Sequence, residues 1–253
     1  MDKKQIISKY NLEKNQINLI DTYLLDLEKK NNEINLVGKS TLTNSWDRHV
    51  NDSLQLSLKI LNKKSSIIDL GTGAGIPGII LAIFGYKNIL LTDSKLKKIN
   101  FINSFCKKNK VVVKTRCSRV ENIKNQKFDF IICRAFAPLK KILDYSLIFS
   151  KKNTSLLLLK GRNVKNEILD AKKHFKFQYE LSPPSQEYDQ LRGYNDYNMG
   201  FGGKAPFVDG LYYWVSGQKT SNDAYRVYDM DNLSYIENDL GNINNIENLV
   251  APW

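Results

Sequence analysis

Between Asp69 and Asp93 the sequence sets two carboxylates around a glycine cluster: "IIDLGTGAGIPGII" (67–80), an apolar run, then "LTD". Glycines placed directly after a short apolar run let backbone approach a ligand closely and adopt left-handed conformations that side chains disfavour. Three ligand classes use such loops. A nucleoside triphosphate calls for G-x-x-x-x-G-K-[ST], with the Lys on the phosphates. Gly73 and Gly78 have the glycine spacing, but Ile79 and Ile80 follow, which excludes that loop. The dinucleotide fingerprint G-x-G-x-x-G is matched formally by Gly73, Gly75 and Gly78. There, however, the strand runs directly into the first glycine, whereas here Gly71 and Thr72 already belong to the turn. The better description is acidic-x-Gly-x-Gly-x-Gly: Asp69, Gly71, Gly73, Gly75. A carboxylate at the strand end repels a pyrophosphate and suits a cation or an amino group. S-adenosylmethionine, with an ammonium, a sulfonium and no phosphate, fits those electrostatics. Asp93 then stands about twenty residues on, at the end of the next strand, where a carboxylate accepts both hydroxyls of an adenosine ribose. Taken alone it equally reads as a cap for the helix opening at Ser94; the upstream glycine loop favours the ribose.

Other residue types with chemical potential lie further along. Arg134 closes the run "FDFIICR", at a strand end where open α/β sheets bind ligands. It reads as a cofactor or base contact, with a structural ion pair as the plainer alternative. Cys133 beside it raises covalent chemistry on a pyrimidine, against a small apolar residue at a buried strand end. "WDRHVNDS" places Arg48, His49 and Asp52 off its apolar stripe, as positioning groups at a cofactor cleft or RNA path, or simply as a solvated face. Lys160 and Arg162 flank Gly161 after a strand and are candidates for phosphate contacts. The Lys-rich segments 95–98 and 107–110 offer nonspecific affinity for a polyanion, or solubility alone.

The elements that must position these residues follow from apolar periodicity. Residues 12–30 put Ile17, Ile20, Leu24 and Leu27 at helical spacing; residues 43–61 repeat the pattern with Trp46, Val50, Leu54, Leu58 and Leu61. From Ser65 strands are predicted at 66–70, 88–92, 110–115, 128–133 and 154–159, with helices at 77–85, 95–108, 138–149 and 163–173. Short apolar strands alternating with amphipathic helices give βαβ units and a mostly parallel sheet covered on both faces. "HFKFQYEL" (174–181) alternates as a sixth strand, and "LYYWVSG" (211–217) as one more. Between and beyond them the chain is rich in Gly, Pro, Asn and Tyr without a period, so a boundary falls near 182.

Net charge is +12 over 253 residues. It is unevenly placed: residues 183–253 hold four basic and ten acidic groups, which leaves residues 1–182 at +18. A field of that sign favours a polyanion, nucleic acid first. A Lys- and Asn-biased genome decorating a solvated surface is the alternative. The sequence shows no ~20-residue apolar run for a membrane span, and no apolar segment near Met1 for a secretory signal. Cys106, Cys117 and Cys133 fall on core or near-core segments, are odd in number and lack C-x-x-C spacing, so neither a disulfide framework nor a metal site is expected.

Five blocks occur together, in order: "NLVGKSTLTNSWDRHVNDSLQL" (35–56), "IIDLGTGAGIPGIILAI" (67–83), "LTDSKLKKINFI" (91–102), "SRVENI" (118–123) and "CRAFAPL" (133–139). With them the chain resembles the small-subunit ribosomal RNA methyltransferase G family, also called glucose-inhibited division protein B, over roughly residues 10–181. The resemblance implies an α/β, class I methyltransferase fold (Rossmann-like, mostly parallel sheet) with an N-terminal helical cap (1–62), a catalytic domain (63–182) and an atypical C-terminal extension (183–253). It implies an enzyme that transfers methyl from S-adenosylmethionine to N7 of a guanosine in 16S rRNA, free or in the small ribosomal subunit; the cysteine usage adds the expectation of a cytoplasmic protein without a metal, and a monomer is expected. Carried over, Gly71 and Ile76 contact the cofactor, Val120 and Glu121 flank its adenine, and Arg134 closes the fourth strand; Gly73, Gly75 and Asp93 complete the set. Thr92 and Ile76 depart modestly from the family's usual residues, and residues beyond Leu181 do not align. Guanine N7 has an in-plane lone pair and no proton to lose, so such chemistry requires positioning rather than a base. The turn "CRAFAPL" agrees, since it lacks the [N/D]-P-P-[Y/F] sequence used on exocyclic amines.

Overall fold

Helix α1 (Lys3–Tyr10) opens on a capping box between Asp2 and Gln5, and α2 (Lys14–Asn31) on one between Glu13 and Gln16. In α2 the predicted stripe turns inward at Ile20, Leu24 and Leu27, which are buried together with Tyr23, while Ile17 at its start is only half-buried. The computed structural model describes residues 1–161, 163–176, 197–204, 212–219, 229–231 and 234–235, with backbone alone from Lys176 onward. The chain divides into two units, Met1–Ile123 and Lys124–Trp253.

In the first unit the segment predicted as one helix at 43–61 is three short pieces. A π-helical turn (Trp46–Asn51) passes into α3 (Asp52–Gln55) and then a 3-10 turn (Leu56–Leu58). Val50 and Leu54 are fully buried, but Leu58 is 60% and Leu61 88% exposed. An i, i+4 stripe on an α-helix drifts about 40° per step. The wide π turn absorbs the first step, and the tightened end turns Leu58 outward, so Leu56 and Ile60 take the inner positions.

Three parallel strands follow in the order β3-β2-β1: β1 (Ile67–Leu70), β2 (Ile89–Asp93) and β3 (Lys114–Cys117). Ile67 pairs with Ile89, and Leu90 with Lys114. Every residue of β1 and β2 is buried, the apolar ones as strands covered on both faces require and Asp69, Thr92 and Asp93 along with them. Helix α4 (Gly78–Phe84) links β1 to β2, and α5 (Leu96–Asn109) links β2 to β3. The third strand starts four residues later than the "VVV" run predicts. Helix α5 ends on Lys110 at φ 55°, and Val111 to Val113 carry the chain across to the sheet, leaving Val112 74% exposed. Because β3 is an edge strand, Cys117 is exposed rather than near-core.

In the second unit β4 (Phe128–Arg134) runs parallel to β5 (Ser150–Leu159), joined by α6 (Leu139–Phe149) and followed by α7 (Val164–Ala171). Ile131, Ile132, Leu143, Phe149 and Leu156 to Leu158 form its fully buried centre. Strand β6 (Phe175–Lys176) covers the start of the predicted 174–181 run, whose remainder lies outside the described residues. Strands β7 (Tyr197–Lys204) and β8 (Tyr212–Lys219) form an antiparallel ladder, so the predicted 211–217 strand is present but pairs with β7. The antiparallel neighbour of β5 is β9 (Asp229–Asp231), and β10 (Ser234–Tyr235) pairs with β6. No helix among the described residues is long and apolar enough to cross a membrane.

Candidate functional site

The loops after β1, β2 and β3 share one edge of the first unit's sheet. Gly71, Gly73 and Gly75 have φ of 63°, 60° and 98°, conformations that L side chains rarely adopt. At Gly75 a Cβ would stand 2.5 Å from Ile79 Cδ1, so the loop lies tight on α4 there. At Gly73 the nearest atom to a Cβ is the Leu36 carbonyl oxygen at 3.8 Å, with Lys98 Nζ at 3.9 Å; this stretch of backbone is open to a ligand.

The two carboxylates have different jobs. Asp69 is fully buried, and its Oδ2 accepts from the Thr72 hydroxyl (2.6 Å) and the Gly78 amide (3.0 Å). It therefore clamps the loop from inside, and does not face a cation as its place in the motif had suggested. Asp93 takes both parts assigned to it. Its Oδ1 accepts the Lys95 amide at 2.8 Å, at the start of α5, and its Oδ2 accepts the Gly73 amide at 3.0 Å. Each carboxylate oxygen has a further lone pair, so ribose hydroxyls still have acceptors. The Ser118 amide donates to the Asp93 carbonyl (3.0 Å), which brings the Val120–Asn122 3-10 turn to the same edge, with Val120 buried and Glu121 exposed. The structure thus gathers Gly71, Gly73, Gly75, Ile76, Asp93, Val120 and Glu121 on the loops of one sheet edge. Among the described residues no group of His, Cys, Asp or Glu is placed to hold a metal ion.

Some supports were not legible in the sequence. Tyr23, fully buried, donates its hydroxyl to the Ala74 carbonyl at 2.9 Å, so α2 props the glycine loop directly. Asn31 accepts the Leu36 and Val37 amides (2.8 and 2.9 Å), folding the turn that lies beside Gly73. The Thr92 hydroxyl donates to the Asp69 carbonyl at 2.9 Å, which gives this departure from the family's usual residue a structural use. Helical phase marks Tyr23 as inward-facing, but nothing local indicates a partner so far along the chain.

Burial pushes the Asp69 carboxyl up from 3.8 to about 7, against the pull of Thr72 and Gly78 and with a small further push from Asp93. The folded chain therefore holds this proton more tightly than the unfolded chain does. The stabilisation is full below pH 4 and is lost as pH rises through about 7. Asp69→Asn keeps an acceptor for Thr72 and Gly78 but cannot ionise. Relative to wild type, the variant is expected to gain about 3 kcal/mol between pH 5 and 8. Urea unfolding at pH 5 and 8 checks this; a wild-type-to-variant difference constant with pH contradicts it.

Other sequence candidates are placed differently. His49 is fully buried with Nε2 3.1 Å from Thr41 Oγ1, so it borders neither solvent nor an RNA path, while Arg48 and Asp52 are half-buried. The helical segment turns this face inward, burying Asn51 and Ser53 as well. Lys160 is only 5% exposed, forms an ion pair with Glu167 and donates to the Ala137 carbonyl at 2.6 Å. Glu167 also accepts the Leu139 amide at 2.7 Å. Lys160 is thus a strut beneath the β4–α6 turn rather than a phosphate contact. Arg162 lies outside the described residues. Cys133 is fully buried, as its apolar reading expected. Arg134 is half-buried at the end of β4, and Ala135 after it has φ 47°, a conformation costing a non-glycine residue about 1–2 kcal/mol.

A family model described as rRNA small subunit methyltransferase G matches residues 16–187. The chain belongs to that family. Among curated relatives, the ribosomal RNA small subunit methyltransferase G of Orientia tsutsugamushi (strain Ikeda) is 39% identical over 172 residues, covering 68% of this chain and 86% of the relative. The protein of the same name from Rickettsia prowazekii is 37% identical over 153 residues, covering 60% and 79%. Among solved structures, a ribosomal protein L11 methylase from Lactobacillus delbrueckii aligns at a TM-score of 0.47 and 10% identity, over 73% of this chain and 79% of that one. The family match spans α2, the glycine loop, Asp93 and Arg134, and stops short of β7 to β10.

Proposed function

We propose that the chain transfers the methyl group of S-adenosylmethionine to N7 of a guanosine in 16S rRNA, working as a cytoplasmic monomer on free RNA or the small subunit. The observation that carries this is the Gly73 amide held on Asp93 across an open glycine loop, in a chain of the methyltransferase G family. Bound S-adenosylmethionine supplies an electrophilic methyl on a sulfonium. The loop from Gly71 to Ile76 holds the cofactor by backbone, Asp93 takes the ribose hydroxyls, and Val120 and Glu121 bracket the adenine. Arg134 donates to guanine O6 and leaves N7 free, so it does not use the bidentate grip common for guanine. No side chain has to remove a proton from N7, so rate comes from holding the base in line at near-attack distance. The +18 balance of residues 1–182 draws the RNA. Labelled S-adenosylmethionine incubated with 16S rRNA, free or in small subunits, is expected to label the RNA. Absence of label from both overturns the reading.

A further inference from the structure

We infer that the groove between α2 and α5 is a track for the phosphodiester backbone of the RNA strand flanking the target; this rests on the function proposed above. Helix α2 packs its Tyr23 ring on Phe101 and Phe105 of α5, with centroids 6.2 and 5.1 Å apart. Above that buried floor the two helices leave a groove of about 690 Å³.

Among the charged residues of its walls, lysines outnumber carboxylates four to two. Lys29 and Lys30 come from the last turn of α2, Lys97 from the first turn of α5 and Lys108 from its last. The two carboxylates in the groove are both engaged, Asp26 with Lys108 at 3.7 Å and Glu33 with Lys30. Lys29 and Lys97 are exposed and enter no ion pair among the described residues, and exposed Asn100 and Ser104 add uncharged donors on α5.

Placement ties the groove to the cofactor loop. Helix α5 begins just beyond Asp93, and Lys98, next to Lys97, has its ammonium 3.9 Å from a Cβ built on Gly73. The Lys97 end therefore lies beside the glycine loop. Lys108 stands three turns further along α5, roughly 16 Å away at ~1.5 Å per residue. That distance matches about five stacked nucleotides at ~3.4 Å each. A protein partner would need a broad apolar anchor point, yet Phe101 and Phe105 are only 8% and 2% exposed, which leaves half-buried Ile34 as the one accessible apolar residue of the lining. An elongated, two-walled, net-positive groove leading away from a methyl-transfer loop suits a single RNA strand.

The test is the double variant Lys29→Gln/Lys97→Gln, with Lys4→Gln/Lys87→Gln as a control outside the groove. The groove variant is expected to raise KM for 16S rRNA five- to tenfold at low salt. It should also reduce the slope of log K against log salt by about 1.5, as two lost phosphate contacts require, with S-adenosylmethionine affinity unchanged. An unchanged slope and KM overturns the track, as does an equal loss in the control pair, which would reflect net charge alone. Unchanged rRNA binding together with lost binding of an acidic peptide also overturns it, in favour of a protein partner. Failure of wild type to methylate RNA at all would instead count against the proposed function.

Discussion

Gly73→Asp is expected to lower S-adenosylmethionine affinity by at least about 100-fold, some 2.8 kcal/mol, in a chain that still folds. A Cβ at 73 would meet nothing in the protein closer than 3.8 Å, so packing does not object to the first atom of the side chain. Asp tolerates the left-handed region better than most residues, which keeps the backbone cost near ~1 kcal/mol. The new carboxylate instead occupies the open face of the loop, beside the Gly73 amide that Asp93 holds. There it blocks the approach that glycine allows and sets a second negative charge near Asp93. Calorimetry gives the affinity and thermal unfolding shows that the fold persists. Wild-type binding in the variant would remove the loop from the cofactor site. Gly75 would be a poorer choice, because its substitution drives a Cβ into Ile79 and confounds binding with folding.

The largest stability effect is expected at Lys160. Lys160→Met leaves Glu167 without its counter-charge and the Ala137 carbonyl without its donor. Removing one partner of a buried pair costs about 3–5 kcal/mol, which for a chain of this length lowers Tm by roughly 10 °C. Adding Glu167→Gln keeps an acceptor for the Leu139 amide and removes the stranded charge, so the double variant should recover a large part of the loss. A double-mutant cycle by urea unfolding measures this. Single variants within 0.5 kcal/mol of wild type would mean that the ammonium is free, and would restore its reading as a phosphate contact.

The parts legible in the sequence are those where local pattern and global role coincide. Strands β1 and β2 are largely apolar because both faces are covered, with Asp69, Thr92 and Asp93 confined to their C-terminal halves, and the glycines announce a loop that no side chain suits. The valine run at 111–113 misleads because β-propensity there serves only the crossing from α5 to an edge strand. Leu58 and Leu61 mislead because the stripe assumes one regular helix where the chain changes pitch twice. Lys160, His49 and Tyr23 share a deeper difficulty. Their partners are Glu167, Thr41 and Ala74, and a charge or a ring in the sequence does not say whether its partner is water or a distant residue. Asp69 shows the same ambiguity inside the motif: its position names the loop correctly, yet its carboxylate serves the loop's own Thr72 and Gly78. Strand β9 comes from an acidic, Asn-rich stretch without period, where a three-residue edge strand leaves no pattern to read.

The most direct test is the identity of the methylated base. After transfer from methyl-labelled S-adenosylmethionine to 16S rRNA, the RNA is digested to nucleosides and the labelled one identified, with chain cleavage at N7-methylguanosine locating it. All label in 7-methylguanosine at one site is the result expected from a site that positions N7 and supplies no base. Label on an exocyclic amine or on a pyrimidine would contradict it.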